Sequence, residues 1–520
     1  MTINDSSLAA GLGISANNTP FTSAALNVPR KILAVASVAV ANEGNFTENV
    51  PEIVTSVQYH ANKAGRGSAA AKLLEWIREG GFDGELWLAP TFEDSWTQSA
   101  GSQVFAGTCT AAGPLHMYVG GHKIKNINIE IDDDGENVQE KVVLAVTADP
   151  DLPFTAVENG VTPEQVDLTA KSGGPWGDFH IDFNLGLGEK LPVGITLGTT
   201  THMTSGAGIV TLQDVLDELG LDDEQNDNFF TAIVHMNGQD STSLSALSTW
   251  NGLGNTVTGN WGKLVHKPVR SMVADNAAGS GGLSALITLG GNLKETDRTS
   301  GCVAVPGSPN CTAEIAAKTV AIMEQIASLR PHQGYVGQVL PNIWPGAVAD
   351  RWTSSYDSRD TATKAGITAT VVKGGAVKLS NVITFYHSAA VTISSNGYRE
   401  MVDIAKMQNM LYSHAAEFEQ ESWQGFAIVE DISMVTSAID RQACKSVENV
   451  RSTLNKLADF FAQKGWLYNS SFTKEKLKES GYITIRGTSD GFNVVFPCIL
   501  SGKGNIIDLQ IAFDTNVAAA

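Results

Sequence analysis

Thr231-Ala232-Ile233-Val234-His235, Val269-Arg270-Ser271-Met272-Val273-Ala274 and Cys302-Val303-Ala304-Val305 decide the fold of this chain. Each is a short apolar run of strand length. Helical spacing fills the intervals: residues 212–219 precede the first run, 242–250 and 283–289 lie between runs, and 313–329 follow the last. Strands that alternate with helices at this spacing build parallel βαβ units. The same rhythm opens the chain, where 31–40 is β-branched and apolar, 68–78 repeats Ala71, Leu74 and Ile77 at helical spacing, and 85–89 is a short apolar strand.

Between these two stretches, from about Gly101, the pattern changes to short β segments. Residues 115–119 and 124–131 alternate, Asp134 caps a predicted helix over 136–147, and 166–169 and 179–183 read as strands. This mostly β unit ends near Gly188. After the α/β stretch, a long loop over 331–363 is rich in Pro, Gly and Trp. A β-hairpin follows, with 366–372 and 377–386 joined by Gly374-Gly375. Long helices are expected over 398–419 and 447–464, then strands over 482–486, 492–499 and 506–513. A last strand with no partner after it is an edge that has to be covered or paired with another chain. Residues 1–27, rich in Ser, Thr, Asn, Gly and Ala, read as an extended arm without a core of its own.

With 520 residues, the chain exceeds the roughly 250–300 that one core organises, so about three domains are expected. Hydrophobic residues make up 42% and charged residues 17%, with 51 glycines, which describes a folded, turn-rich protein. The formal charge of -20 opposes broad attraction to nucleic acid or anionic lipid. No apolar run approaches the ~20 residues of a membrane span, and residues 1–20 lack the basic and apolar regions of a signal peptide. No nucleic-acid or membrane partner is therefore expected, and synthesis and folding are expected in a cytoplasm.

The chain contains no Walker motif, HExxH, GxSxG or GxGxxG after a strand, and no cofactor is expected. Asp132-Asp133-Asp134-Gly135-Glu136 places its glycine too early for a calcium loop and reads as a solvated turn and helix cap. The ten histidines are scattered; His116 and His122 share one β region without a third ligand placed nearby. His235 and Asp275 lie near predicted strand ends, where α/β enzymes hold catalytic groups, so a hydrolase using the α/β region is the alternative from another class. Lys456, Lys464, Lys474, Lys476 and Lys478 concentrate positive charge late in an acidic chain, as a solvated face or a docking face for an acidic partner. Cys109, Cys302, Cys311, Cys444 and Cys498 are dispersed and odd in number, and most of them read as buried thiols. Cys302 and Cys311 flank Pro306-Gly307-Ser308-Pro309, and a disulfide between them across that turn is the alternative.

Several segments resemble, in order and spacing, the Mu-like family of contractile phage tail sheath proteins. They begin with Pro29-Arg30-Lys31-Ile32-Leu33-Ala34-Val35, Ala64-Gly65-Arg66-Gly67-Ser68 and Gly84-Glu85-Leu86-Trp87-Leu88-Ala89-Pro90. Gly107-Thr108-Cys109-Thr110-Ala111-Ala112-Gly113, Tyr118-Val119-Gly120-Gly121 and Asp151-Leu152-Pro153-Phe154-Thr155-Ala156 follow. Asp350-Arg351-Trp352-Thr353, Gly366-Ile367-Thr368, Val382-Ile383-Thr384-Phe385-Tyr386 and Val494-Val495-Phe496-Pro497 complete the series. The similarity runs from about Pro29 to Phe513.

The resemblance implies an α+β and α/β multidomain subunit, not an enzyme, that stacks as hexameric rings in a helical sheath around a tail tube. Contraction of that sheath drives the tube through the host envelope for genome ejection. The implied plan is an N-terminal arm (1–27), a discontinuous inner core (28–100 with 366–503), an inserted β-rich domain (101–190), an inserted α/β domain (205–365) and a C-terminal strand arm (504–520). Implied partners are other copies of the chain exchanging arms, the tube protein, and baseplate and tail terminator proteins. The implied location is the virion tail, after assembly in the host cytoplasm. The five late lysines become the candidate tube contact. A phage-derived contractile injection particle is the runner-up setting.

Overall fold

A computed structural model describes residues 27–219, 230–252, 259–260, 267–294, 299–387, 398–488 and 490–502. The arm expected over 1–27, Asn27 apart, lies outside these, as do the arm over 504–520 and its 506–513 strand. The chain divides into two compact units, one comprising 27–411 with 502–520 and the other 1–26 with 412–501. Among the described residues no helix is long and apolar enough to cross a membrane.

The larger unit is organised by an eight-stranded sheet. Its order in space is Ala376–Leu379, Ile367–Lys373, Ser300–Ala304, Arg270–Asp275, Ala232–His235, Lys31–Ser37, Glu85–Thr91 and Glu52–Ile53. The six inner strands run parallel and the two outer ones antiparallel. Continuous burial along the inner strands explains their unbroken apolar runs, because a parallel sheet is covered on both faces. Ile32 and Ala34 face helices Ala69–Glu79 and Thr312–Leu329. Leu33 and Val35 face helices Leu212–Leu219 and Ser241–Asn251 on the other side.

This sheet corrects the expected division of the chain. Lys31–Ser37 is flanked by Glu85–Thr91 and by Ala232–His235, with Ile32 opposite Ala232 and Leu33 opposite Trp87. Segments 28–100 and 205–365 therefore share one hydrogen-bonded layer and are not separate domains. Ile367–Lys373, from 366–503, joins that layer, whereas 412–501 forms the second unit. Local periodicity shows that a strand exists and carries no information about a partner 200 residues away.

Both sheet edges are short. Glu52–Ile53 closes one, and Ala376–Leu379 closes the other beneath a strap of loop: Gly337 N donates to Leu379 O (2.8 Å), Leu379 N to Gln338 O (2.8 Å) and Leu340 N to Val377 O (2.9 Å). The hairpin at Gly374-Gly375 is present, with φ of +63° and +77° as a type I′ turn requires.

The inserted β unit holds a four-stranded antiparallel sheet, ordered Val193–Thr204, Gln98–Ala111, Gln165–Gly173, Phe154–Glu158. The ladder extends past the expected end at 190, through a strand rich in Thr and Gly. Helix Gly135–Ala148 begins at Asp134, whose Oδ1 accepts from Asn137 N (3.1 Å). Asp133 pairs with Lys141, so the acidic run is a cap and a turn.

Buried charge secures the start of the first strand. Arg30 Nη1 donates to Gln408 Oε1 (2.6 Å) and lies 3.5 Å from Glu324 Oε2, and Val28 N donates to Asn409 Oδ1 (2.8 Å). Arg270 donates to Glu324 and to Tyr335 Oη (2.9 Å). Two arginines thus share one carboxylate, all three fully buried. Burial pulls Arg30 down to about 10 against the attraction of Glu324.

The smaller unit rests on helix Val447–Gln463, which opens with a capping box of Ser446 and Asn449, and on helix Ser470–Lys476. Val450, Leu454, Leu477 and Ile483 form its core. Its β structure is slight: Ala427–Ile428 beside Cys444–Lys445, and Ile483–Ile485 antiparallel to Phe492–Val494. The strand expected over 492–499 stops at Val494.

Candidate functional site

The late lysines sit on one part of the smaller unit. Val450, Leu454, Leu457 and Phe461 turn the apolar stripe of helix Val447–Gln463 inward, which leaves Lys456 exposed. Lys464 caps that helix and is exposed, and Lys478 follows the short helix and is exposed. Lys474 Nζ donates to Asp459 Oδ1 (2.7 Å), the bond that chiefly lowers the Asp459 carboxyl, and Lys476 Nζ donates to Glu479 Oε1 (2.8 Å). Arg451 Nε donates to Leu477 O (2.9 Å) and ties the two helices together. Residues 451–501 carry seven Lys or Arg against four Asp or Glu, in a chain of net charge -20. Three of the five lysines thus face solvent without an ion-pair partner among the described residues, and two are partly neutralised by neighbours.

Beside them lies an apolar groove that sequence reading missed, about 330 Å³ in volume and lined by Phe418, Trp423, Phe426, Val450, Phe492 and Val494. Val495 and Ile499 are exposed nearby in sequence. Its sequence signal is the apolar run from Phe492 to Ile499, which reads locally as a strand.

In the larger unit, the segments that carry the family resemblance meet one another. Arg66 Nε and Nη2 donate to the two carboxylate oxygens of Asp151 at 2.6 and 2.5 Å. At Gly67, φ is +79° and a Cβ would stand 2.2 Å from Leu152 O, so the backbone of one segment lies against the other. Gly366 also approaches Phe385 O (2.7 Å for a Cβ), and Ile383 N donates to Thr368 Oγ1 (3.0 Å). Gly307, after strand Ser300–Ala304, packs its backbone on Asp350 (2.7 Å for a Cβ).

The catalytic and metal alternatives find little geometry. His235 is 2% exposed, with neither ring nitrogen hydrogen-bonded, and burial lowers it to about 4. Asp275 accepts from Gln239 Nε2 (2.6 Å) and Ala277 N (2.8 Å), the latter closing its own turn. His116 lies near Glu189 and His122 near Glu314, so the two histidines have different partners. Among the described residues no group of three His, Cys, Asp or Glu could hold a metal ion. Cys302 and Cys311 are free thiols in different apolar clusters, with Cys302 beside Leu286 and Ile367 and Cys311 beside Ile315. The turn at 306–309 does not join them, and burial raises both thiols.

Three solved structures are similar to this chain. The sheath tail protein of Desulfitobacterium hafniense aligns at 11% identity over 93% of this chain and 94% of that one, with a TM-score of 0.45. The PVC sheath complex of an extracellular contractile injection system, in its contracted state, aligns at 9% identity over 100% of both chains (TM-score 0.47). A chain of the anti-feeding prophage baseplate in its contracted state aligns at 10% identity over 98% of this chain and 100% of that one (TM-score 0.43). No family profile matches the chain, and a search among curated proteins returns no match.

Proposed function

We propose that this chain is the sheath subunit of a contractile tail, polymerising as stacked six-membered rings around a tube and shortening to drive that tube through a cell envelope. The reading is carried by the interlocking of the resemblance segments. Arg66 with Asp151, Gly67 with Leu152, Gly366 with Phe385 and Thr368 with Ile383 are contacts between segments quoted for the family likeness. The distinctive residues of the series are engaged in holding the scaffold, which is the use a structural subunit makes of them.

On this reading, segments 1–27 and 504–520 are arms that gain order from neighbouring copies, and the apolar groove with the short Phe492–Val494 edge offers a place for one to pair. The tube is met through Lys456, Lys464, Lys474, Lys476 and Lys478, since charge pairs across a wet interface hold a partner that must later be released. Contraction is a downhill change of lattice and requires no nucleotide.

Electron microscopy of the purified full chain, alone and after both arms are deleted, tests the proposal. Sleeves or stacked rings are expected from the full chain, and folded subunits that no longer polymerise from the truncated one. A full chain that stays monomeric at high concentration, with or without tube protein, would overturn the reading.

A further inference from the structure

Two neighbouring inner strands send their connections to opposite faces of the sheet. After Arg270–Asp275 the chain enters helix Gly279–Leu293, which packs through Leu286 on the face of Val273 and Cys302. After Ser300–Ala304 it enters helix Thr312–Leu329, which packs through Ile315 and Val320 on the face of Met272 and Val303. Where connections diverge in this way, a crevice opens outside the carboxyl ends of the strands, the usual place for a ligand in an open α/β sheet. Here the crevice has a volume of about 590 Å³, within the range of small-molecule sites. Residues 276–278 and 307–309 form its floor, and 180–185 from the β unit and 344–351 form its walls.

The walls are fixed in advance. A Cβ on Gly346 would lie 2.4 Å from Pro306 O, so the 344–351 loop is pressed onto the strand end. Ser308 Oγ donates to Trp344 O (2.7 Å), and Trp344 N donates to Asn310 Oδ1 (2.7 Å). The Trp344 indole is held by its Nε1, which donates to Gly121 O (3.0 Å), and by an edge contact with Tyr118. A rigid wall spares a ligand the cost of ordering it.

The chemistry inside is specific. Asp182 Oδ2 and Asn184 Oδ1 are both buried and both lack a hydrogen-bond partner. Asn184 has φ of +55°, in the left-handed region that asparagine adopts more readily than most residues. Two orphaned acceptors call for a ligand rich in donors. Burial lowers His180, which is uncharged at neutral pH, and Arg351 stands against both Asp182 and Asp350, so the lining does not favour an anion. Ser308, committed to Trp344 O, leaves the crevice suited to binding and not to turnover.

We propose that this crevice is a saccharide-binding site for about one or two sugar rings. Sugar hydroxyls supply donors to Asp182 and Asn184, and the apolar C–H face of the ring lies on Trp344. The proposal is independent of the sheath reading, and it adds recognition of a glycan to a subunit whose other contacts are with protein.

Saturation-transfer NMR on the full chain, with glucose, galactose, mannose, N-acetylglucosamine, lactose and maltose as probes and inorganic phosphate as the control, tests it. Saturable binding of at least one sugar is expected, with Asp182→Ala and Asn184→Ala each weakening it about tenfold through a lost hydrogen bond. Radical footprinting of the unsubstituted chain reads the same site if a variant fails to fold, and the bound sugar should protect Trp344 from oxidation. No sugar binding at tens of millimolar, sugar binding that leaves Trp344 as reactive as before, or phosphate binding in its place would overturn the proposal.

Discussion

The two units solve the problem of burial differently. Residues 27–411 pack helices on both faces of one eight-stranded sheet and bury even some of their charges, with Arg30, Arg270 and Glu324 sealed together. Residues 412–501 have a core centred on Val450, Leu454, Leu477 and Ile483, and leave Met434, Ile439, Tyr468 and Val495 in solvent. A unit of this size buries a smaller share of its surface than a large one does. The contrast teaches that one part seals its charges around a large sheet, while the other keeps Lys456, Lys464 and Lys478 in solvent next to a small core.

The comparison breaks most readily at the buried charges. Glu324→Ala leaves two arginines buried without their carboxylate and should cost about 3–5 kcal/mol. In chemical denaturation the loss should fall on the transition of the larger unit and leave that of the smaller unit in place. One shared transition moving as a whole would show that the two regions are not independent in stability.

Leu454→Ala is the counterpart in the smaller unit, with an expected loss of about 2–4 kcal/mol from its core. Limited proteolysis should then cut within 412–501 while the larger unit stays intact. Cleavage spread evenly over both would contradict the separation.

Acid provides a third probe. His235 is held near 4 by burial, below its ordinary 6.5. As pH falls through 6.5 the unfolded chain takes up a proton that the folded chain refuses until about pH 4, so stability is present above this window and declines across it. The full decline is about 3 kcal/mol. His235→Leu should flatten that part of the stability–pH curve in the larger unit, and an unchanged slope would remove His235 as its cause.

Smaller still is Gly67→Ala, expected to cost about 1–3 kcal/mol through the strained φ and the approach to Leu152 O. Least costly to folding is the joint replacement of Lys474, Lys476 and Lys478 by Glu. It should leave the melting temperature nearly unchanged and, on the proposed function, weaken extended sheath on its tube while contracted sleeves still form. Intact extended tails at moderate salt would mark the cluster as a solvated face.

Much of the fold was legible where side chains report their own surroundings. The helix over 212–219, the Asp134 cap and the Gly374-Gly375 turn all stand where local chemistry placed them. Strands Gln98–Ala111 and Val193–Thr204 escaped because they are rich in Ser, Thr and Gly and are largely exposed, so they show little apolar alternation. The pairing of Lys31–Ser37 with Ala232–His235 escaped because register across 200 residues leaves no local mark. Of the basic face, the positions were readable and the neutralising partners Asp459 and Glu479 were not. The crevice was invisible, since Asp182, Asn184 and Trp344 come from segments with no shared period.

The blunted edges of the large sheet bear on the life of the protein before it is used. On the proposed function the chain is made in many copies, and wide apolar sheets at high concentration tend to join edge to edge. With Glu52–Ile53 only two residues long on one side and the 337–340 strap over Ala376–Leu379 on the other, neither margin offers a template for runaway fibre growth. On the proposed function, a crowded pool of subunits is thereby kept from joining sheet edge to sheet edge before it meets its partner.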